Sequence, residues 1–274
     1  MRLRIKHSTT YRYDPPATGV IQIIRKTPRS FDGQYIAEWQ TFVSTDSRMQ
    51  THHDAFGNIT HVLTLGTTDE LTIGVEGLVE THDTHGVVKG TDERFPPDFF
   101  LRATALTNAT PKMQAFAHDL RAESDSDVIG FLHALMSQIN DHMTFAPDET
   151  DAGTTAAGAF ERGSGTGRDY SHVFIACARS GGVPARFITG HFLRSDGAPQ
   201  PEGGHAWAEA FVSGLGWVGF DAANNMSPTD RHVRVAVGLD YLGAAPLRGM
   251  HYGGGQETLA VAITVHQAGR QSQS

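Results

Sequence analysis

The sequence predicts an α+β protein: an N-terminal antiparallel β-sandwich, followed by helices packed on an antiparallel sheet. Three observations carry this expectation. Apolar and polar residues alternate with a period of two near the N-terminus, helical spacing replaces that alternation after residue 110, and strand-like runs return beyond residue 185.

In chain order, Leu3, Ile5, His7, Thr9 and Tyr11 alternate with Arg4, Lys6, Ser8 and Thr10, the pattern of a half-buried strand. Further strands are expected at 19–25, 36–43, 59–65 and 71–79, and Asp54-Ala55-Phe56-Gly57-Asn58 reads as a turn. Short strands between turn signals suggest a small sandwich over residues 1–85. Residues 86–106, with Pro96-Pro97, read as an irregular connection. Thr110 is a suitable N-cap with Pro111 in the first turn, and Met113, Phe116, Ala117 and Leu120 share one face. Asp127 opens a second helix with the stripe Val128, Phe131, Leu132, Leu135, Met136 and Ile139, which is expected to face the core. A short helix over 154–160 leads into the glycine-rich run 163–167. A third long helix then spans about 168–180 and stops at Gly181-Gly182. Strands are expected at 185–193, 205–212, 217–221, 232–237 and 258–265, placing 107–266 in one core. The polar tail 267–274 is expected to be disordered.

Composition narrows the function. A formal charge of −8, with no Lys/Arg cluster, argues against nucleic acid as a partner. Fifteen histidines are present, but neither HExxH nor CxxC occurs, so no metal or other cofactor is expected. The single cysteine, Cys177, excludes an intrachain disulfide and suits a reducing compartment. No apolar segment follows the opening MRLRIKHSTTYRYD, and no run reaches the roughly 18 apolar residues of a membrane span. The expectation is a cytoplasmic protein with no membrane partner.

Three segments carry a resemblance. They are Gly165-Thr166-Gly167-Arg168-Asp169-Tyr170-Ser171-His172, then His205-Ala206-Trp207-Ala208-Glu209, then the run GLGWVGFDAANN at 214–225. In this order they resemble the bacterial transglutaminase-like family, a branch of the papain-like cysteine peptidase superfamily, whose corresponding motifs read GVCQDFAH, HAWxE and GLGWVGFDPTNN. HVRVAVGLDY at 232–241 and APLRGMHYGGG at 245–255 extend the match. His7, Thr10, Tyr11, Tyr13 and the turn at 54–58 resemble the family's β-rich N-terminal domain. The resemblance implies a papain-like transglutaminase core and a catalytic triad. His205 and Asp221 would be its base and carboxylate, and Gly167 stands at the nucleophile position, where the family has cysteine.

A thiol at a helix N-terminus is acidified by the helix dipole and a neighbouring histidine; the histidine carries the proton, and a carboxylate holds its ring. His205 and Asp221 flank a glycine-containing hairpin at 213–216 that would bring them together on adjacent strands. Gly167 has nothing to attack with. Cys177 lies about 15 Å further along the helix and reads as a core residue. Ser171, one turn into the helix, would point elsewhere, whereas Ser164 and Thr166 precede the helix and would reach the site if their loop folded inward. Asp169 and Trp207 are the candidate binding residues, although a first-turn acid that favours the helix dipole and a packing indole account for them as well. The favoured expectation is a pseudoenzyme that binds a peptide or protein amide. The alternative is an active amide hydrolase or acyl transferase using a displaced hydroxyl, or water activated by His205 with Asp221 behind it.

Overall fold

The computed structural model describes residues 1–194 and 204–269. Five strands open the chain: β1 (Arg2–Thr27), β2 (Gln34–Val43), β3 (Arg48–His53), β4 (Ile59–Leu65) and β5 (Thr68–Thr81). β1 is one long strand where the alternation suggests two, at 3–11 and 19–25. A register shift between Arg12 and Ala17 marks the join. Its first half pairs antiparallel with β5 and its second half with β4, giving the order β2-β5-β1-β4-β3. The sheet curls so that both halves of β1 share one core: Tyr11, Tyr13, Ala17, Val20 and Ile24 pack with Leu63, Leu71 and Ile73. The expected sandwich takes the form of one curled sheet folded over a shared core.

The connection is more ordered than its sequence suggests. It contributes β6 (Val87–Val88) and a 3-10 turn over Pro97–Leu101. The helices follow: α1 (Pro111–Glu123), α2 (Val128–His142), then β7 (Thr144–Phe145), α3 (Ala156–Arg162), β8 (Ser164–Gly165) and α4 (Gly167–Ser180). Thr110, Asp127 and Thr155 cap the first three, each accepting a backbone N–H with its side-chain oxygen. Strands β9 (Ala185–Phe192), β10 (His205–Val212), β11 (Gly216–Phe220) and β12 (His232–Gly238) form the second sheet, and the single turn α5 (Tyr241–Ala244) follows. That sheet runs β12-β9-β10-β11-β6. α4 lies at its centre: Tyr170 and Val173 through Ala178 are buried between the other helices and the sheet. A helix covered on all sides needs the nearly uninterrupted apolar run this one has.

The last two strands, β13 (Leu247–Gly253) and β14 (Gln256–Gln267), return to the first sheet. β13 pairs with the second half of β1 and β14 with the first half. The sequence reading grouped 107–266 as one core. These strands leave it because β1 has backbone N–H and C=O groups on its free side that antiparallel partners satisfy. At the start of the tail expected to be disordered, Gln267 ends β14 and the Ala268 N–H donates to the Arg2 carbonyl. Residues 270–274 lie outside the described residues. The two sheets meet where Leu3, Ile5 and Val79 bury against Val233.

Candidate functional site

Gly167 is the first residue of α4, and Asp169 fixes the turn ahead of it. The Asp169 carboxylate accepts from the Thr166 N–H and from the Thr166 hydroxyl, both at 2.8 Å. Gly167 does not lie in the left-handed region. A β-carbon there would stand 3.4 Å from the Ala206 carbonyl oxygen and 3.6 Å from His205 Nδ1, ordinary contact distances. Nothing in the local backbone requires glycine at this position, and a side chain placed there would point at the histidine.

His205 opens β10, and Asp221 lies just past the end of β11. The hairpin between them turns on Gly214 and Gly216, both at positive φ. Its register pairs Ala208 with Phe220, so His205 and Asp221 are diagonal rather than directly opposite. The imidazole bridges that offset, with Nε2 at 2.6 Å from Asp221 Oδ2. With Nε2–H donating to the carboxylate, Nδ1 of neutral His205 presents its lone pair toward Gly167, the arrangement of a general base.

Two further residues complete the cluster. Asn224 Nδ2 donates to Asp221 Oδ2 at 2.7 Å, and His232 Nε2 lies 3.2 Å from the same oxygen. His232 Nδ1 accepts the Thr229 N–H, so its proton sits on Nε2 and points at Asp221. Asp221 is fully buried. Burial alone would raise its carboxyl, but the adjacent His205 and His232, both hydrogen-bonded to it, overcome that and hold it well below the carboxylate range. Burial lowers His232 despite Asp221 beside it, which suits its neutral form.

The donor atoms of His205, Asp221 and His232 lie within 4.8 Å of one another, a spacing that would also suit a metal. The hydrogen bonds argue for a proton network instead. A metal needs a lone pair on His232 Nε2, yet Nδ1 of that ring already accepts a backbone N–H and cannot take the displaced proton.

A cleft of about 740 Å³ opens over Gly167 and His205. The core contributes Thr166, Arg168, Ala206, Asn224 and Tyr241, while His7, Thr9, Tyr11 and Lys26 of β1 and Leu259 and Val261 of β14 supply another part of its wall. The first sheet therefore builds part of the site. Sequence reasoning singled out none of Asn224, His232 or the β1 residues as site residues. For Lys26 a signal exists: continuing the period of two through Val20, Gln22 and Ile24 places it on the buried face of its strand.

Two of the candidate binding residues lie away from the cleft lining. Asp169 was singled out as a binding residue, but it is fully buried, turned back on Thr166 as an N3 acid is, and does not line the cleft. Trp207, also singled out for binding, is buried behind the histidines with Ile188 and Val237, in space left by Gly190, whose β-carbon would fall 2.6 Å from the indole. The other hydroxyls near Gly167 are engaged: Ser164 with Glu149 at 2.6 Å and Ser171 with the Gly167 carbonyl at 2.6 Å. Cys177 is buried under α1, its thiol pushed up to about 12 by burial.

Known proteins match this architecture. The family model for the bacterial transglutaminase-like N-terminal region matches residues 3–80, and that for the transglutaminase-like superfamily matches residues 114–222. An uncharacterized protein of Mycobacterium leprae is 26% identical over 96% of this chain and 98% of its own length. One from Mycobacterium tuberculosis is 25% identical over 92% and 88%. The crystal structure of a candidate cysteine protease from Cytophaga hutchinsonii superposes with a TM-score of 0.78, covering 99% of this chain and 92% of that one at 19% identity. The structural match shows the shared fold, and the two family models, matching in sequence order over residues 3–80 and 114–222, identify the chain as a member of the transglutaminase-like superfamily that carries the bacterial N-terminal region.

Proposed function

We propose that this protein is a catalytically silent member of its superfamily that binds a peptide or amide ligand in the cleft above Gly167. The observation that carries the reading is the head of α4. His205 and Asp221 stand in hydrogen-bonded register, and the base nitrogen of His205 faces a residue without a side chain. Without a nucleophile the covalent intermediate that divides amide cleavage into two easier steps is lost. Support comes from the committed hydroxyls of Ser164, Thr166 and Ser171, and from burial of the one thiol in the chain. The cleft falls within the roughly 300–1,000 Å³ of small-ligand sites, enough for a few peptide residues.

The test compares wild type with Gly167→Cys for amide hydrolysis and amine transfer across a peptide library. The variant has room for its β-carbon and places a thiol beside His205. An inactive wild type is expected, with Gly167→Cys faster by about 10³-fold or more and sensitive to iodoacetamide. Wild-type turnover that disappears in His205→Ala would overturn the proposal and establish water activated by His205, or a displaced hydroxyl, as the attacking group. Failure of both forms to bind any peptide would remove the ligand-binding half of the reading.

A further inference from the structure

We propose that the ligand carries a carboxylate and that Lys26, on β1, is its counter-ion. The inference rests on the cleft being a ligand site and adds the chemical class of what enters it.

Lys26 is 2% exposed, yet it lines the cleft. Its ammonium donates to Thr9 Oγ1 at 2.8 Å, and among the described residues no carboxylate pairs with it. A buried cation without an anion is costly, and ordinarily a chain either pairs it or replaces it with an apolar residue. The surroundings make matters worse rather than better. His7, on the same face of β1, and His191, on β9, are both buried and packed ring against ring, with centroids 5.5 Å apart. Burial and the neighbouring positive charge of Lys26 push both histidines down, His191 to about 3. Nδ1 of His191 has no hydrogen-bond partner among the described residues. Three basic groups thus cluster with no acid among them in the described residues, and the two histidines avoid conflict by staying neutral. One positive charge is left for a partner to neutralise.

The count of that charge selects the ligand. Elsewhere on the cleft wall, Arg168 is engaged by Asp169 and Thr150 and lies over the ring of Tyr241. Arg194 also has its own interactions. Asp148 lines the cleft as well, but it does not pair with Lys26. An ammonium beside the Thr9 hydroxyl, with no carboxylate partner among the described residues, matches a monoanion with two acceptor oxygens, a carboxylate, better than a phosphate dianion. A peptide offers that group at its C-terminus or on an aspartate or glutamate side chain. In a cleft lined by both Lys26 and His205, such a ligand would anchor its carboxylate on β1 and lay its backbone across the head of α4.

Burial lowers the Lys26 ammonium to about 7, so near neutral pH a fraction of it is uncharged. A carboxylate binds the charged form and must draw a proton onto the amine. His7, His191, His205, Tyr11, Arg168 and Arg194 share the cleft or the pocket, so the proton must be assigned to Lys26 directly. Lysine side-chain NMR of the wild type and Lys26→Met does this.

The probes are acetate alone and an N-acetylated tri-alanine in three forms: free acid, C-terminal amide, and amide with one alanine replaced by glutamate. The wild type is expected to bind a carboxylate form roughly 10- to 100-fold more tightly than the plain amide. Proton uptake at pH 8 should accompany binding, the preference should vanish in Lys26→Met, and acetate should raise the Lys26 titration. Preference for the free acid or for the glutamate form identifies which carboxylate is recognised. Equal binding of acid and amide, unaltered in Lys26→Met, overturns the carboxylate proposal and leaves peptide binding standing. If no peptide binds but acetate shifts Lys26, the anion site stands and the peptide reading falls. If neither happens, both fall.

Discussion

The buried Lys26 ammonium opposes folding for as long as it is charged. Its native pKa, about 7, lies below its ordinary 10.5. Between those values the unfolded chain binds more protons than the native one, so stability rises with pH across that window and the penalty is complete below it. A shift of this size corresponds to about 5 kcal/mol at most. Lys26→Met removes the titration and keeps the length of the side chain. It is expected to exceed wild type in stability by a few kcal/mol near pH 6, with the advantage shrinking toward pH 10. Tyr11 and Cys177, whose pKa values are raised, titrate in both proteins at the alkaline end. The difference between the two urea curves therefore isolates the lysine. A difference independent of pH would show that the amine stays charged throughout. At Gly167 the contrast is instructive: the sequence announces the missing thiol, whereas the anomaly at Lys26 is visible only once its strand phase is known.

At the scale of elements, the sheet that carries His205 is held by a buried ionic cluster. Glu209 on β10 accepts from Arg186 Nε on β9 at 2.7 Å and from Arg234 Nε on β12 at 2.7 Å. Arg186 also reaches Glu93 in the connection and lies 3.8 Å from the centroid of Trp217. Burial would raise the Glu209 carboxyl, but the two guanidinium groups hold it down. Glu209→Ala strands two buried cations with only Glu93 to share and is expected to cost about 3–5 kcal/mol. Chemical denaturation checks this, and a cost below about 1 kcal/mol would mean that the cluster contributes little. Much of this level was legible beforehand. The helix caps, the hairpin at 213–216 and the His205–Asp221 pair follow from residue spacing and resemblance. The partners of Glu209 do not, because they are 23 and 25 residues away on other strands and no local pattern links their charges. The same holds for His232, whose proton reaches Asp221 only through the packing of β12 beside β9.

For the whole molecule, the decisive contact is between the two ends of the chain. The sequence suggests β14 as a strand, at 258–265, but leaves β13 unassigned and does not say where either goes, because strand alternation carries no address for its partner. The structure pairs them with β1 along nearly its full length, from Leu3 opposite Gln267 to Ile24 opposite Leu247. This closure has two consequences. β1 becomes an interior strand rather than an exposed edge, and Leu247, Leu259 and Val261 join the cleft wall beside Lys26. The first sheet is thus not an independent N-terminal module. A chain ending at Pro246 should lose cooperative folding, expose β1 and aggregate, even though every residue of the helical core is retained. Hydrogen exchange offers the sharper measurement. In the intact protein the amides of β1 are expected to exchange by global unfolding, together with those of α4, because strand and core helix open as one unit. In the shortened chain, β1 should exchange many orders of magnitude faster than α4, if α4 remains folded at all. Equal protection of β1 in both chains would show that β4 and β5 suffice to hold it, and that the cleft wall survives without its C-terminal strands.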